Sequence, residues 1–539
     1  MGGTRVRFAL CFLAVFVILA LAQFWALDKM SFHGDESAYL TMSIRATNLA
    51  LAGRWNDPQW HESNLLGAEA PPVTLFLLGI GLRLFGIKSG EWPFWLAPNP
   101  TVPPPTVLLI GRTIMSLIGY ASLFAIYFLG KEIKDAKTGL IAAFLFGLEP
   151  LWLISSRRAM SEAPAILFSI LAVLLLLRGM KKQQSRELIL SGISLGLAID
   201  SKYNAVFLGI IIVGFFCLWI GVNCRTSRRE GSGKSVICVA KWFGSLILPA
   251  VTTTIVINPV LYPNPIIGVM DIVHFWMGPG GGSFFISSFV DTSIGIWMLA
   301  VFHVAVFPSL QVLTYLWPSY ELPGYLAQSG TLTTATTGLL FAVGITVLCG
   351  SIVRGRKINI VGSTGFLLFW FGGEVILVAE TTRIAFDRYF LPVLPPVVLI
   401  AALGLTWLNE RLAAKGTGPA RQLAIPLYLL SQMVALSAFY PELYQSAWKN
   451  PSNIPMFGTI QQSIGRPLGQ IAILLLVAAV LSTFIALKWP LEDPHLTGLG
   501  RGRKLPPIQM HVSDECSFLP FLAGSCANDP NTFRRGQKI

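Results

Sequence analysis

Charge is what this 539-residue chain has least of. Asp, Glu, Lys and Arg make up 12% of it, about half the share in a soluble globular domain. With 53% hydrophobic residues and a mean hydropathy of +0.63, that shortage excludes a chain built for water. No soluble domain of any size and no internal repeat is visible. The seven cysteines have no metal-ligand spacing, which removes a zinc module. Cys11, Cys217, Cys238 and Cys349 fall in apolar runs and read as inert packing residues. Cys516 and Cys526 lie in a polar tail and would pair only in an oxidising compartment. The net charge of +13 would suggest nucleic acid in a soluble protein. Here Lys and Arg sit mostly in short loops between apolar runs, where they set topology, so nucleic acid is not an expected partner.

What the chain does have is a succession of apolar runs, many long enough for a helical crossing of about 20 residues. The first, Phe8–Leu27, follows Arg5 and Arg7. It has no small-x-small cleavage site and reads as a retained anchor with a cytoplasmic N-terminus. Next come Thr106–Gly130, Thr138–Ser156, Ala163–Leu177, Leu188–Asp200, Tyr203–Val222 and Val236–Asn258. Thr336–Val353, Asn359–Ala379, Tyr389–Leu408, Leu423–Tyr440 and Leu468–Leu487 complete the set. The expected fold is an all-α polytopic membrane protein with about 12 crossings and both ends cytoplasmic. Residues 1–487 form its membrane domain, with long outer loops at 28–105 and 259–335; the second of these contains no Lys or Arg. Val73–Gly86, opened by Pro71-Pro72 and interrupted by Arg83, suits an interfacial helix, and Ser293–Pro308 reads as an interfacial helix or partial hairpin. Residues 488–539, rich in Pro, Gly and charge, read as a poorly ordered cytoplasmic tail.

Against this apolar background the ionisable residues near span ends stand out. Phe32–Tyr39 reads F-H-G-D-E-S-A-Y and begins just past the first run. Adjacent carboxylates at a membrane boundary are costly and often functional. For Asp35 the plain alternatives are a solvated loop carboxylate or a helix cap. Arg112, Arg157, Arg158, Lys202 and Arg388 all fall near outer ends of spans. Each alone reads as a snorkelling side chain; five at one level fit a bound lipid phosphate. Glu149, just before Pro150, is either part of that substrate site or a buried partner for Arg157 or Arg158. Glu162 lies one short turn beyond Arg157. A carboxylate so placed can take the proton of an acceptor hydroxyl attacking a sugar carbon. His33, His61 and Glu62 share the first outer loop and are candidate ligands for a divalent metal, though no tight spacing supports it.

Taken in order, these pieces resemble a known family. They are Asp35-Glu36, Ala70-Pro71-Pro72, Gly111-Arg112, Leu148-Glu149-Pro150, Ser156-Arg157 through Glu162, Ser201-Lys202-Tyr203, and Arg388-Tyr389-Phe390-Leu391-Pro392 with Pro395. The chain resembles the GT-C fold of lipid-phosphate-sugar-dependent glycosyltransferases, most closely the dolichyl-phosphate-mannose protein mannosyltransferases. Bacterial aminoarabinose lipid A transferases are more distant. The resemblance implies inverting transfer from a polyprenyl or dolichyl phosphate sugar to a protein, glycan or lipid, with an extracytoplasmic site. It implies Asp35 as catalytic base and Glu36 shaping the acceptor or metal site. Arg157, with Glu162 nearby, would orient the lipid phosphate and donor sugar. Lys202 and Arg388 would add phosphate contacts, with Tyr389 beside them. Ala70 stands where the family usually has His or Lys, and Glu162 where it usually has Asp. Those departures bear on the acceptor. They also leave room for a catalytically silent subunit of a membrane complex; a transporter is the remaining alternative.

Overall fold

The fold comes from a computed structural model, which describes residues 2–30, 32–61, 70–92, 101–229, 235–262, 264–277, 333–353, 362–381, 387–414, 419–439 and 466–488. Among these residues there are sixteen α-helices and no strand. They are α1 (Gly2–Phe24), α2 (Gly34–Leu51), α3 (Pro72–Leu84), α4 (Pro105–Ile133), α5 (Ala136–Gly147), α6 (Pro150–Arg157), α7 (Glu162–Lys182) and α8 (Ser185–Ile199). After them come α9 (Val206–Arg229), α10 (Ser235–Ile257), α11 (Pro265–Met277), α12 (Ala335–Val353), α13 (Ser363–Thr381), α14 (Leu394–Ala414), α15 (Pro419–Phe439) and α16 (Arg466–Lys488). Five candidate spans are long and apolar enough to cross a bilayer, six if the bent pair α5–α6 counts as one, and shorter apolar helices accompany them. The chain is an integral, multi-pass membrane protein. The expected 12 crossings are not reproduced as a count among the described residues.

The centre of the bundle is α14, whose residues Leu394 to Ala402 are all buried. A helix apolar all round belongs inside a bundle, and α14 packs on α5 and α12. Close approaches depend on small residues, as expected of helices packed in lipid. Gly192 and Gly196 of α8 face the Leu246 and Ala250 carbonyls of α10, where a Cβ would not fit. Gly111 brings α4 against α2: a Cβ there would stand 2.7 Å from the Leu40 side chain and 3.0 Å from Ala159.

Two expected elements take another form. The run Thr138–Ser156 is not one straight crossing. It breaks at Leu148-Glu149 into α5 and α6, bent by 70°. Pro150 opens α6; it has no N–H to continue the helix from α5, and its ring opposes a continuous turn. The D-E pair is not in a loop either: it occupies the first turn of α2, inside the expected outer segment 28–105. Val73–Gly86 is helical, as α3. Cys11, Cys217 and Cys349 stand exposed on helix faces rather than packed inside. Ser293–Pro308, Cys516, Cys526 and residues 489–539 lie outside the described residues.

Candidate active site

The site begins with the cap of α2. The Nδ1 of His33 accepts from the Asp35 amide at 3.2 Å, while the Glu36 carboxylate accepts from the His33 amide at 3.0 Å. This reciprocal capping box fixes the first turn, and two acids there oppose the positive end of the helix. Neighbouring residues on a helix point about 100° apart, so Asp35 and Glu36 meet different partners.

Glu36 turns inward and is fully buried. Arg112 of α4 grips it with Nε to Oε1 and Nη2 to Oε2, both at 2.8 Å. The Arg112 Nη1 also donates to the Leu27 and Met30 carbonyls at 3.0 Å. The Ala159 amide donates to Glu36 Oε1 at 3.1 Å. Burial alone would push the Glu36 carboxyl up; the Arg112 guanidinium overrides it and holds the carboxyl below its usual range. The pair ties α1's exit, α2, α4 and the turn after α6 together. Glu36 and Arg112, expected at the acceptor and the phosphate, are here committed to each other.

Asp35 turns the other way. Its Oδ2 accepts from Arg388 Nη1 at 2.5 Å, an ion pair whose side chains are 24% and 20% exposed. Beside it, Lys202 Nζ donates to Glu162 Oε1 at 2.8 Å. Tyr389 links the two pairs: Lys202 and Arg388 lie 5.4 and 5.6 Å from the centre of its ring. Glu162, Lys202 and Arg388 line the polar part of a partly open cleft. The rest is largely apolar: Ala165, Ile166, Leu208, Leu391, Pro392 and Pro395 among others. So Asp35, Glu162, Lys202, Arg388 and Tyr389, drawn from four separate stretches of sequence, meet in space.

Other expected residues go elsewhere. Arg157 is buried and donates to the Trp25 carbonyl at the end of α1. The charge of its neighbour Arg158 reaches His33 and Glu36. Glu149 does not pair with either arginine through any hydrogen bond described here. It accepts from the Thr334 amide at 2.9 Å and Gln432 Nε2 at 3.1 Å, and pairs with the Thr337 hydroxyl. The three candidate metal ligands do not gather. His33 caps α2; His61 lies 3.2 Å from the Tyr262 carbonyl and 3.7 Å from Asp271; Glu62 lies outside the described residues. Among the described residues no three His, Cys, Asp or Glu side chains form a metal-sized group. With His33 engaged in the cap and His61 beside Tyr262 and Asp271, the two described candidates do not converge on one position.

Two residues at the site were missed in the sequence. Tyr39, one turn after Asp35, donates to Ser161 at 3.0 Å and lies within the field of Asp35, Glu162 and Arg388. Glu374 of α13, buried in an apolar run, lines the cleft and accepts from Trp370 Nε1 at 3.3 Å. A carboxylate inside a membrane-length run is itself a signal, and for Glu374 that signal was available.

The cap makes the site acid-sensitive. Burial pushes the His33 imidazole down to about 4 from its ordinary 6.5, against Asp35 and with help from Arg158 and Arg388. Between those two values the unfolded chain binds the extra proton and the folded chain does not. Stability is therefore complete above about pH 6.5 and falls as pH drops towards about 4, by up to about 3 kcal/mol. In thermal melts from pH 7.5 to 4.5, His33→Asn, which keeps a capping side chain, should melt with a shallower pH dependence than wild type. Parallel curves would contradict this account of the cap.

Comparison with known proteins bears on this cluster. Residues 107–239 match the family model of dolichyl-phosphate-mannose-protein mannosyltransferases. That stretch holds Arg112, Glu149, Arg157, Arg158, Glu162 and Lys202. No curated protein matches the chain. Among solved structures, the archaeal oligosaccharyltransferase AglB from Archaeoglobus fulgidus, in complex with an inhibitory peptide and a dolichol-phosphate, is 17% identical with a TM-score of 0.43. The match covers 88% of this chain and 55% of that one, so this chain spans about half the length of AglB. ArnT from Cupriavidus metallidurans bound to undecaprenyl phosphate is 13% identical, TM-score 0.43, over 88% and 76% of the two chains. The S. cerevisiae protein O-mannosyltransferase complex bound to the sugar donor is 17% identical, TM-score 0.35, over 51% and 35%. The family model matched over residues 107–239 is that of the mannosyltransferases the sequence pattern resembles.

Proposed function

We propose that this chain is a glycosyltransferase moving a sugar from a polyprenyl or dolichyl phosphate to a hydroxyl of a protein, glycan or lipid acceptor. The observation that carries the reading is the meeting of Asp35, Glu162, Lys202 and Arg388 beside a largely apolar cleft. The ligand that suits such a place has an anionic head and a hydrocarbon tail. Lys202 and Arg388 hold the phosphate, and the cleft's apolar wall takes the first carbons of the chain. The acceptor oxygen attacks the anomeric carbon from the face opposite the phosphate, Asp35 takes the hydroxyl proton, and the carbon–oxygen bond to phosphate breaks. The electron pair leaves with the polyprenyl phosphate, whose growing charge the two cations stabilise. A single displacement of this kind inverts the anomeric centre. Glu36 and Arg112 position Asp35 by holding its turn. No step passes through a metal.

The positive-inside rule supports cytoplasmic termini and a site on the extracytoplasmic side. The test is conversion by purified protein in liposomes of a polyprenyl phosphate bearing a labelled sugar. The expected result is labelled acceptor together with free polyprenyl phosphate. Movement of intact substrate across the liposome membrane without transfer would overturn the reading in favour of transport.

A further inference from the structure

Both cations that would hold the donor phosphate are paired with the site's own carboxylates: Arg388 with Asp35 at 2.5 Å, Lys202 with Glu162 at 2.8 Å. Arg388 also feels Glu162, so the four groups form one charge-balanced cluster with Tyr389 beneath both cations. A phosphate cannot reach these cations on equal terms with the carboxylates already there. It must compete with them.

Resting on the glycosyltransferase reading, we propose that Arg388 is handed from Asp35 to the donor phosphate, so that the base is released only when the donor is in place. A guanidinium offers a flat fork of donors that suits phosphate at least as well as carboxylate. The Asp35–Arg388 pair is also partly exposed, at 24% and 20%, which keeps the cost of opening it low. Once Arg388 turns to phosphate, Asp35 loses that ion pair and becomes a better proton acceptor. The donor therefore binds first and the acceptor second. After transfer the order reverses: Asp35 passes the proton it took to solvent water, reclaims Arg388, and weakens the hold on the departing lipid phosphate.

The handover makes an unusual demand on the base: removing it should strengthen ligand binding. The probe is polyprenyl phosphate without sugar, titrated onto the full chain in nanodiscs. Four proteins are compared: wild type, Asp35→Asn, Arg388→Gln, and the double variant. Asp35→Asn is expected to bind about tenfold more tightly than wild type, and Arg388→Gln more weakly. In the Arg388→Gln background, Asp35→Asn is expected to change affinity by less than about twofold, because the competitor then has nothing to compete for. Glu162→Gln supplies an independent arm through Lys202, with the same direction of change. Unchanged or weaker binding by Asp35→Asn would overturn the handover. So would equal tightening in both Arg388 backgrounds, which would reveal only a general effect of removing a negative charge. In either case wild-type binding would leave the glycosyltransferase reading intact. If no protein of the set binds polyprenyl phosphate, both readings fall.

Discussion

Asp35→Asn should leave the protein folded and lower sugar transfer by roughly 10²–10⁴-fold, the range expected for loss of a positioned general base. The substitution keeps the size of the side chain and leaves the Glu36–Arg112 clamp untouched, because Asp35 meets a different partner. It removes the group that would accept the hydroxyl proton. Turnover of a polyprenyl phosphate sugar, measured beside a thermal melt of the same preparation, separates chemistry from folding. Wild-type turnover in a correctly melting Asp35→Asn protein would remove Asp35 from the mechanism. Asp35→Glu would place the carboxylate one methylene further out, and its turnover should fall between the two.

Arg112→Met should have the largest effect on folding, about 3–5 kcal/mol, the usual cost of removing one partner of a buried ion pair. Glu36 is 0% exposed, and Arg112 supplies two of the hydrogen bonds to its carboxylate. Left behind, that carboxylate would be charged and desolvated. The Leu27 and Met30 carbonyls would lose a donor at the same time. The checks are melting temperature and yield of the purified protein. Adding Glu36→Gln to Arg112→Met removes the stranded charge and should recover part of the loss. If Arg112→Met alone melts within about 2 °C of wild type, the clamp is not what fixes this corner of the bundle.

The contrast between these two variants marks where sequence reasoning reached its limit. The apolar runs gave the helices with ends mostly within a few residues: Thr106–Gly130 became α4 and Val236–Asn258 became α10. Apolar length is a property of the chain alone, so it is legible there. Adjacent Asp35 and Glu36 could not be told apart in that way. Their separate fates follow from a helix that starts at Gly34, and α2 gives little warning of itself. It carries Ser37, Thr41, Ser43 and Thr47, all buried, in place of a plain apolar face. The same holds for Arg157 and Arg158. Arg157 reaches back to the Trp25 carbonyl instead, a contact set by how α6 ends. From the sequence, Glu149 reads as part of the substrate site or as a buried partner for Arg157 or Arg158. Its partners, Thr334, Thr337 and Gln432, lie far along the chain and carry no charge to announce them.

The lining of the cleft has a consequence for which activated sugars the protein can use. A nucleotide-linked donor would bring a heterocycle and a ribose, each needing hydrogen-bond partners along its length. The wall that continues from Lys202 and Arg388 is mostly apolar, with Ala165, Ile166, Leu208, Leu391, Pro392 and Pro395, and Ser169, Asn204 and Glu374 are its few polar members. Burying such hydrophilic groups there would leave many of them without partners, whereas an isoprenoid has no hydrogen bonds to lose. On the proposed reading, a preference for lipid-borne over water-borne sugar donors would follow from the apolar share of that surface.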